Sequence, residues 1–151
     1  MGLDCSHDAF SGAYSAFNRL RQVVARAAGG SFPPHYCYDD EGKFMKDLDE
    51  DSFYLGEDYR QTTHPGLFEF LKHSDCDGEI SPEMCEFVAN DLEALLPRVQ
   101  ELGSVAVGHI LARGGYVEVL RKFIAGCRNA AKAGESLRFS CVKAGGSLRN
   151  R

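Results

Sequence analysis

The chain has 151 residues, 44% hydrophobic and 26% charged, with 16 Gly and 6 Cys, which fits one domain with its own core and excludes collagen, a coiled coil and wholesale disorder. A formal charge of −5 argues against a protein that coats nucleic acid. The longest apolar stretch, residues 105–112, is interrupted by Gly108 and His109 and falls short of the roughly 20 residues a membrane-spanning helix needs.

At the start, Leu3, Cys5 and His7 alternate with Asp4 and Ser6, the pattern of a short half-buried strand over residues 3–7. The acids here and the lack of a cationic and an apolar segment lead one to expect no secretory signal. Gly2 and Ser6 match the pattern for N-terminal myristoylation, and Cys5 could add a palmitate. Because so short a motif is frequent by chance, a strand beginning at Gly2 is the preferred reading. Ser11 and Gly12 offer a cap. Tyr14, Phe17, Leu20, Val24 and Ala27 then recur at helical spacing, predicting an amphipathic helix over residues 12–28 stopped by Gly29 and Gly30. No acid occurs between Ala9 and Pro34, so this helix is locally basic through Arg19, Arg21 and Arg26.

Phe32-Pro33-Pro34 breaks any helix, and residues 35–38 read as a strand. Residues 39–58 hold nine acids and two lysines with Phe44, Met45, Leu48, Phe53, Tyr54 and Leu55 among them. Acid blocks are usually solvated loops, but these apolar residues predict packing back onto the body.

The second half reads as helical. Thr63 or His64 caps a short helix opened by Pro65. Ser81-Pro82-Glu83 starts a longer one, with Met84, Phe87, Val88, Leu92 and Leu95 as its stripe. Pro97 lies near its end or kinks it. A helix or helix pair around residues 105–111 follows, then a last helix over 116–133, stopped by Gly134. Residues 136–140 alternate as a strand expected to pair with residues 3–7. The expected architecture is α+β: four or five helices on a small sheet that includes both terminal strands. Residues 1–141 form the domain and 142–151 a disordered tail.

Between two predicted helices lies His73-Ser74-Asp75-Cys76-Asp77-Gly78-Glu79-Ile80, which is similar to the calcium loop of the EF-hand family. Aligned on Gly78, Asp75 and Asp77 take the third and fifth loop positions, Glu79 the seventh and Ile80 the eighth. The outer positions depart from the pattern. His73 stands at the first and Met84 at the twelfth, with Glu83 one residue early. The resemblance therefore implies at most a weak or variant calcium site using Asp75, Asp77, Glu79 and Glu83. The alternative is a structural turn in which the acids bind backbone N–H groups and Gly78 takes positive φ.

The same run continued through Ser81-Pro82-Glu83, the opening Met-Gly-Leu-Asp, and the ending Cys127-Arg128, Ala133-Gly134-Glu135, Leu137 and Phe139 also resemble a family of small uncharacterised intracellular proteins. That resemblance would cover residues 1–140. It implies no activity, but makes the 73–83 run part of the core design.

The 6 Cys contain no Cys-x-x-Cys, and in a chain expected to be cytoplasmic they read as reduced, mostly buried thiols. Cys5 with His7 and His35 with Cys37 could compose a zinc shell if each pair shared a strand face, or pack as core residues. Arg19 and Arg21, beside Tyr14 and Asn18, could hold a small anion, with Asp4 or His7 for orientation or proton transfer. The leading expectation is a non-catalytic intracellular binding or regulatory module linked to calcium through the 75–83 loop. The alternatives are a small enzyme or sequestering protein for an anionic, phosphate-bearing metabolite, and an adaptor whose acidic 39–58 loop meets a basic protein.

Overall fold

A computed structural model describes residues 2–33, 53–74, 77–102 and 115–142. Strand β1 (Gly2–Cys5) leads through a 3-10 turn (Ser6–Asp8) into β2 (Phe10–Ala13), and helix α1 (Tyr14–Ala27) follows directly. Then come α2 (Pro65–Lys72), β3 (Glu79–Ile80), α3 (Pro82–Leu102), α4 (Gly115–Ala133) and β4 (Leu137–Val142). The strands form one antiparallel sheet in the order β2-β1-β4-β3. The fold is α+β with both terminal strands side by side, as the sequence pattern leads one to expect. β1 opposes β4 with Leu3 against Cys141 and Cys5 against Phe139.

Register follows burial. Leu3, Cys5, Phe10, Ile80, Leu137 and Phe139 are buried, while their neighbours Ser11, Glu79, Arg138 and Ser140 are exposed. Slipping any strand by one residue would turn this apolar set to water. The buried face meets a cluster of phenylalanines. Phe17 of α1 lies 5.0 Å from Phe10, 5.7 Å from Phe70 of α2, 6.0 Å from Phe123 of α4 and 6.1 Å from Phe139, centroid to centroid. One ring thus joins three helices to two strands, and each such buried ring contributes about 1.5–3 kcal/mol by burial alone.

The helix ends have local causes. Gly29 (φ 83°) and Gly134 (φ 70°) take the left-handed conformation that closes α1 and α4. Gly30 N–H then reaches back to Ala25 O at 2.9 Å, and Glu135 N–H to Ala130 O at 2.9 Å. Arg98 of α3 adds a donor to the Ala27 carbonyl at 3.2 Å. Ser81 caps α3 by accepting Met84 N–H at 3.2 Å. α2 begins with Pro65 but has no side-chain cap of its own; Asp91 of α3 supplies one by accepting Leu67 N–H at 2.9 Å.

Several expectations are corrected. The first strand ends at Cys5 rather than residue 7, because His7 (φ 58°) and Asp8 (φ 57°) turn the chain into β2. Residues 10–13 complete that hairpin, so α1 starts at Tyr14, with Ala13 at its cap and no side-chain bond there. Phe87, expected in the core, is 50% exposed. The buried face of α3 runs through Cys85, Val88, Ala89, Leu92, Leu95 and Val99, and small Cys85 and Ala89 on it permit close helix approach. Pro97 lies inside α3 near its end, as expected, and the helix continues to Leu102.

Phe53, from the acidic stretch, packs on the body as expected, 5.9 Å from Phe32 and 5.7 Å from Phe68. The rest of that stretch up to residue 52, the predicted strand at 35–38 with His35 and Cys37, the helix around 105–111 with its Ile110, and the tail from 143 lie outside the described residues.

Candidate functional site

A cavity of about 310 Å³ opens where β2, the start of α1 and the start of α4 meet. Its apolar wall comes from Ala9, Phe10, Ala16 and Val119. Its polar groups are Ser11, Ser15, Arg19, Tyr116 and Lys122.

Local structure explains the placement. On α1, Ser15, Ala16 and Arg19 stand at i, i+1 and i+4, one helix face. On α4, Tyr116, Val119 and Lys122 repeat every three residues and so share a stripe. Close approach of the turn to α4 sets the floor. Ala9 is fully buried, and a Cβ at Gly126 would lie 2.5 Å from the Ala9 Cβ, so only glycine fits.

The electrostatics favour an anion. Arg19 and Lys122 bring a cation from each helix. The first turn of α1, which also lines the cavity, contains no acid, leaving its partial positive charge uncompensated by side chains of that turn. On α4 the first-turn acid Glu118 is paired with Arg121 at 3.4 Å. Tyr116 is buried, which raises its phenol above the ordinary value, while nearby Arg19 pulls it partly back. At neutral pH the hydroxyl keeps its proton and remains a hydrogen-bond donor.

Of the residues proposed from sequence, Arg19 stands in this cavity and Arg21 does not. Arg21 is fully buried, donates from Nη2 to the His73 carbonyl at 2.6 Å, and has Phe17, Phe32 and Phe70 rings within 4.6, 5.8 and 5.7 Å. Two positions along a helix are about 200° apart, so these two arginines cannot share a site. Asn18 donates to the Pro33 carbonyl at 3.2 Å, and the Tyr14 hydroxyl donates to Cys141 Sγ at 2.9 Å.

Asp4 and His7 do not line the cavity either. Asp4 is half-buried on β1. His7 Nδ1 faces Ser6 Oγ at 3.0 Å and its Nε2 faces Glu135 Oε1 at 2.8 Å. Ser6 Oγ also accepts Arg138 N–H at 2.8 Å. These contacts tie the strained turn to the α4–β4 connection. Because the turn intervenes, Cys5 and His7 do not share a strand face as the zinc arrangement requires.

In the 73–83 segment, Gly78 has φ 94°, as a tight turn requires. Its carbonyl accepts Phe139 N–H at 2.9 Å. The Glu79 carbonyl lies 3.3 Å from His73 Nε2, and the imidazole ring lies 4.2 Å from the Phe139 ring. The carbonyl oxygens thus serve the sheet and the His73 ring. Asp77, Glu79 and Glu83 are exposed, and Asp75 lies outside the described residues. Among the described residues, no group of three or more His, Cys, Asp or Glu side chains is placed to hold a metal ion. No described helix is long and apolar enough to cross a membrane.

Sequence reasoning missed Lys122 and Tyr116 as partners of Arg19. They lie about a hundred positions downstream, and nothing in their spacing links them to α1. Comparison with protein-family models, with curated proteins and with solved structures gave no match.

Proposed function

We propose that this protein is a non-catalytic binding module for a small anionic ligand, held in the cavity between β2, α1 and α4. The observation that carries this reading is the placement of Arg19 and Lys122, from two different helices, around one concave and mostly apolar site. Ligand sites are typically concave, mostly apolar, and furnished with a few polar groups that fix orientation. The cavity, at about 310 Å³, is at the small end of the range such sites occupy, which suits a metabolite rather than a polymer.

The test is a thermal-shift screen of anionic metabolites, followed by calorimetric titration of those that stabilise the fold. A ligand binding only the folded state raises the melting temperature, stabilising the fold by RT ln(1 + [L]/Kd). A charge-assisted hydrogen bond contributes about 1.5–3 kcal/mol, so Arg19→Ala and Lys122→Ala should each weaken binding by roughly tenfold or more. Silence across the screen, or binding indifferent to both substitutions, would overturn the proposal.

A further inference from the structure

We infer that the ligand is an amphiphilic monocarboxylate, an acyl or aryl chain ending in one carboxylate, rather than a sugar phosphate or nucleotide. The inference rests on the cavity being an anion site and narrows the kind of anion.

The wall decides the body of the ligand. Ala9, Phe10, Ala16 and Val119 offer carbon only. A hydroxyl or ring nitrogen set against them gives up its water without replacement, and besides the two cations the lining side chains that could pair with one are Ser11, Ser15 and Tyr116. A sugar or nucleobase carries several such groups. A hydrocarbon chain or phenyl ring instead gains free energy for all the apolar surface it buries there.

The polar groups decide the head. Among the described residues, Arg19 and Lys122 are the cationic groups of the site, and each is one turn or less along its helix from an apolar wall residue, Ala16 and Val119 respectively. A chain lying on that wall therefore has a cation within side-chain reach of its end. The guanidinium fork of Arg19 matches a carboxylate bidentately, as it does a phosphate, and the phosphate arms of the titration separate the two. Tyr116 also lines the site.

The experiment is calorimetric titration of the full chain with decanoate and 3-phenylpropionate, alongside decanol, decylamine, glucose 6-phosphate and inorganic phosphate. Decanoate and 3-phenylpropionate should bind, decanol should bind at least about tenfold more weakly for want of the charge-assisted bonds, and decylamine should not bind. Val119→Asp, which places an acid on the apolar wall, should abolish carboxylate binding. Ala16→Trp should do the same by filling the cavity from an exposed helix position, where folding is little affected. Circular dichroism of both variants confirms the fold.

Binding of glucose 6-phosphate or phosphate through Arg19 and Lys122, with both carboxylates silent, would overturn this inference and leave the anion-site reading standing. Decanol equal to decanoate would overturn the assignment of a carboxylate head. Carboxylate binding unchanged in Ala16→Trp and in an Arg19→Ala/Lys122→Ala double variant would place it elsewhere and sink both readings.

Discussion

Arg21 Nη2 donates to the carbonyl of His73 at 2.6 Å, joining the middle of α1 to the chain just past the end of α2. The guanidinium is fully buried and lies over Phe17 at 4.6 Å. Burying a charge is costly unless hydrogen bonds and aromatic faces replace its water. Arg21 is therefore a clamp that holds the chain at His73.

Arg21→Lys should be strongly destabilising, since an ammonium has no planar fork to bond and stack at once. A loss of about 2–4 kcal/mol in urea denaturation is expected. Arg21→Met, which removes the charge but keeps much of the volume, should be milder and should cost about 1–3 kcal/mol for the donor lost to the His73 carbonyl. Equal stability of the lysine variant and the wild type would refute the clamp.

Asp91 gives stability a pH dependence. Burial raises its carboxyl above the usual range, opposed by the Leu67 and Gly66 N–H groups and by His64. The folded state thus holds the proton more tightly than the unfolded chain does. Its contribution to stability is full below the unfolded carboxylate value and is lost as pH rises through the raised folded value. Asp91→Asn should flatten that slope, because an amide oxygen still accepts from Leu67 N–H without carrying charge. Asp91→Ala should cost about 0.5–2 kcal/mol by uncapping α2. Chemical denaturation at several pH values distinguishes the two variants.

Gly66 marks a tight crossing of α2 on α3. A Cβ there would strike the backbone carbonyl of Phe87, which cannot rotate aside. Gly66→Ala should destabilise by about 1–3 kcal/mol through overpacking, although alanine is the better helix former by about 1 kcal/mol. Denaturant midpoints report the balance, and a stabilised variant would show that α2 and α3 have room to separate.

Thiol reactivity should divide sharply. Cys5, Cys85 and Cys127 are buried and Cys141 is exposed. Burial pushes the Cys5 thiol far above its usual value, and contact with Cys85 together with burial does the same for Cys127. With Cys37 and Cys76 replaced by serine, Ellman's reagent should find one fast thiol in the folded protein and three more on denaturation. Rapid reaction of all four would contradict the packing of α3 on α4.

Much of the local structure was legible. Leu3 and Cys5, Leu137 and Phe139 alternate because a half-buried sheet has period two, and this was enough to pair the terminal strands. Gly134 and Gly78 were readable as points of positive φ because few other residues tolerate it. Phe87 was misread because hydrophobicity outweighed position: the stripe centred on Cys85, Ala89 and Leu92 is set by what α3 packs against, which one helix's periodicity cannot reveal.

The sequence by itself determined the α+β class, the adjacency of the two ends of the fold, and a basic first helix, all consequences of short-range periodicity and backbone chemistry. Only the tertiary structure decided that Arg21 turns inward to His73 while Arg19 turns outward to meet Tyr116 and Lys122. The physical reason is rotational: helical spacing fixes which residues share a face, but the packing of α1 against α2, α4 and the sheet chooses which face is buried and which borders a cavity.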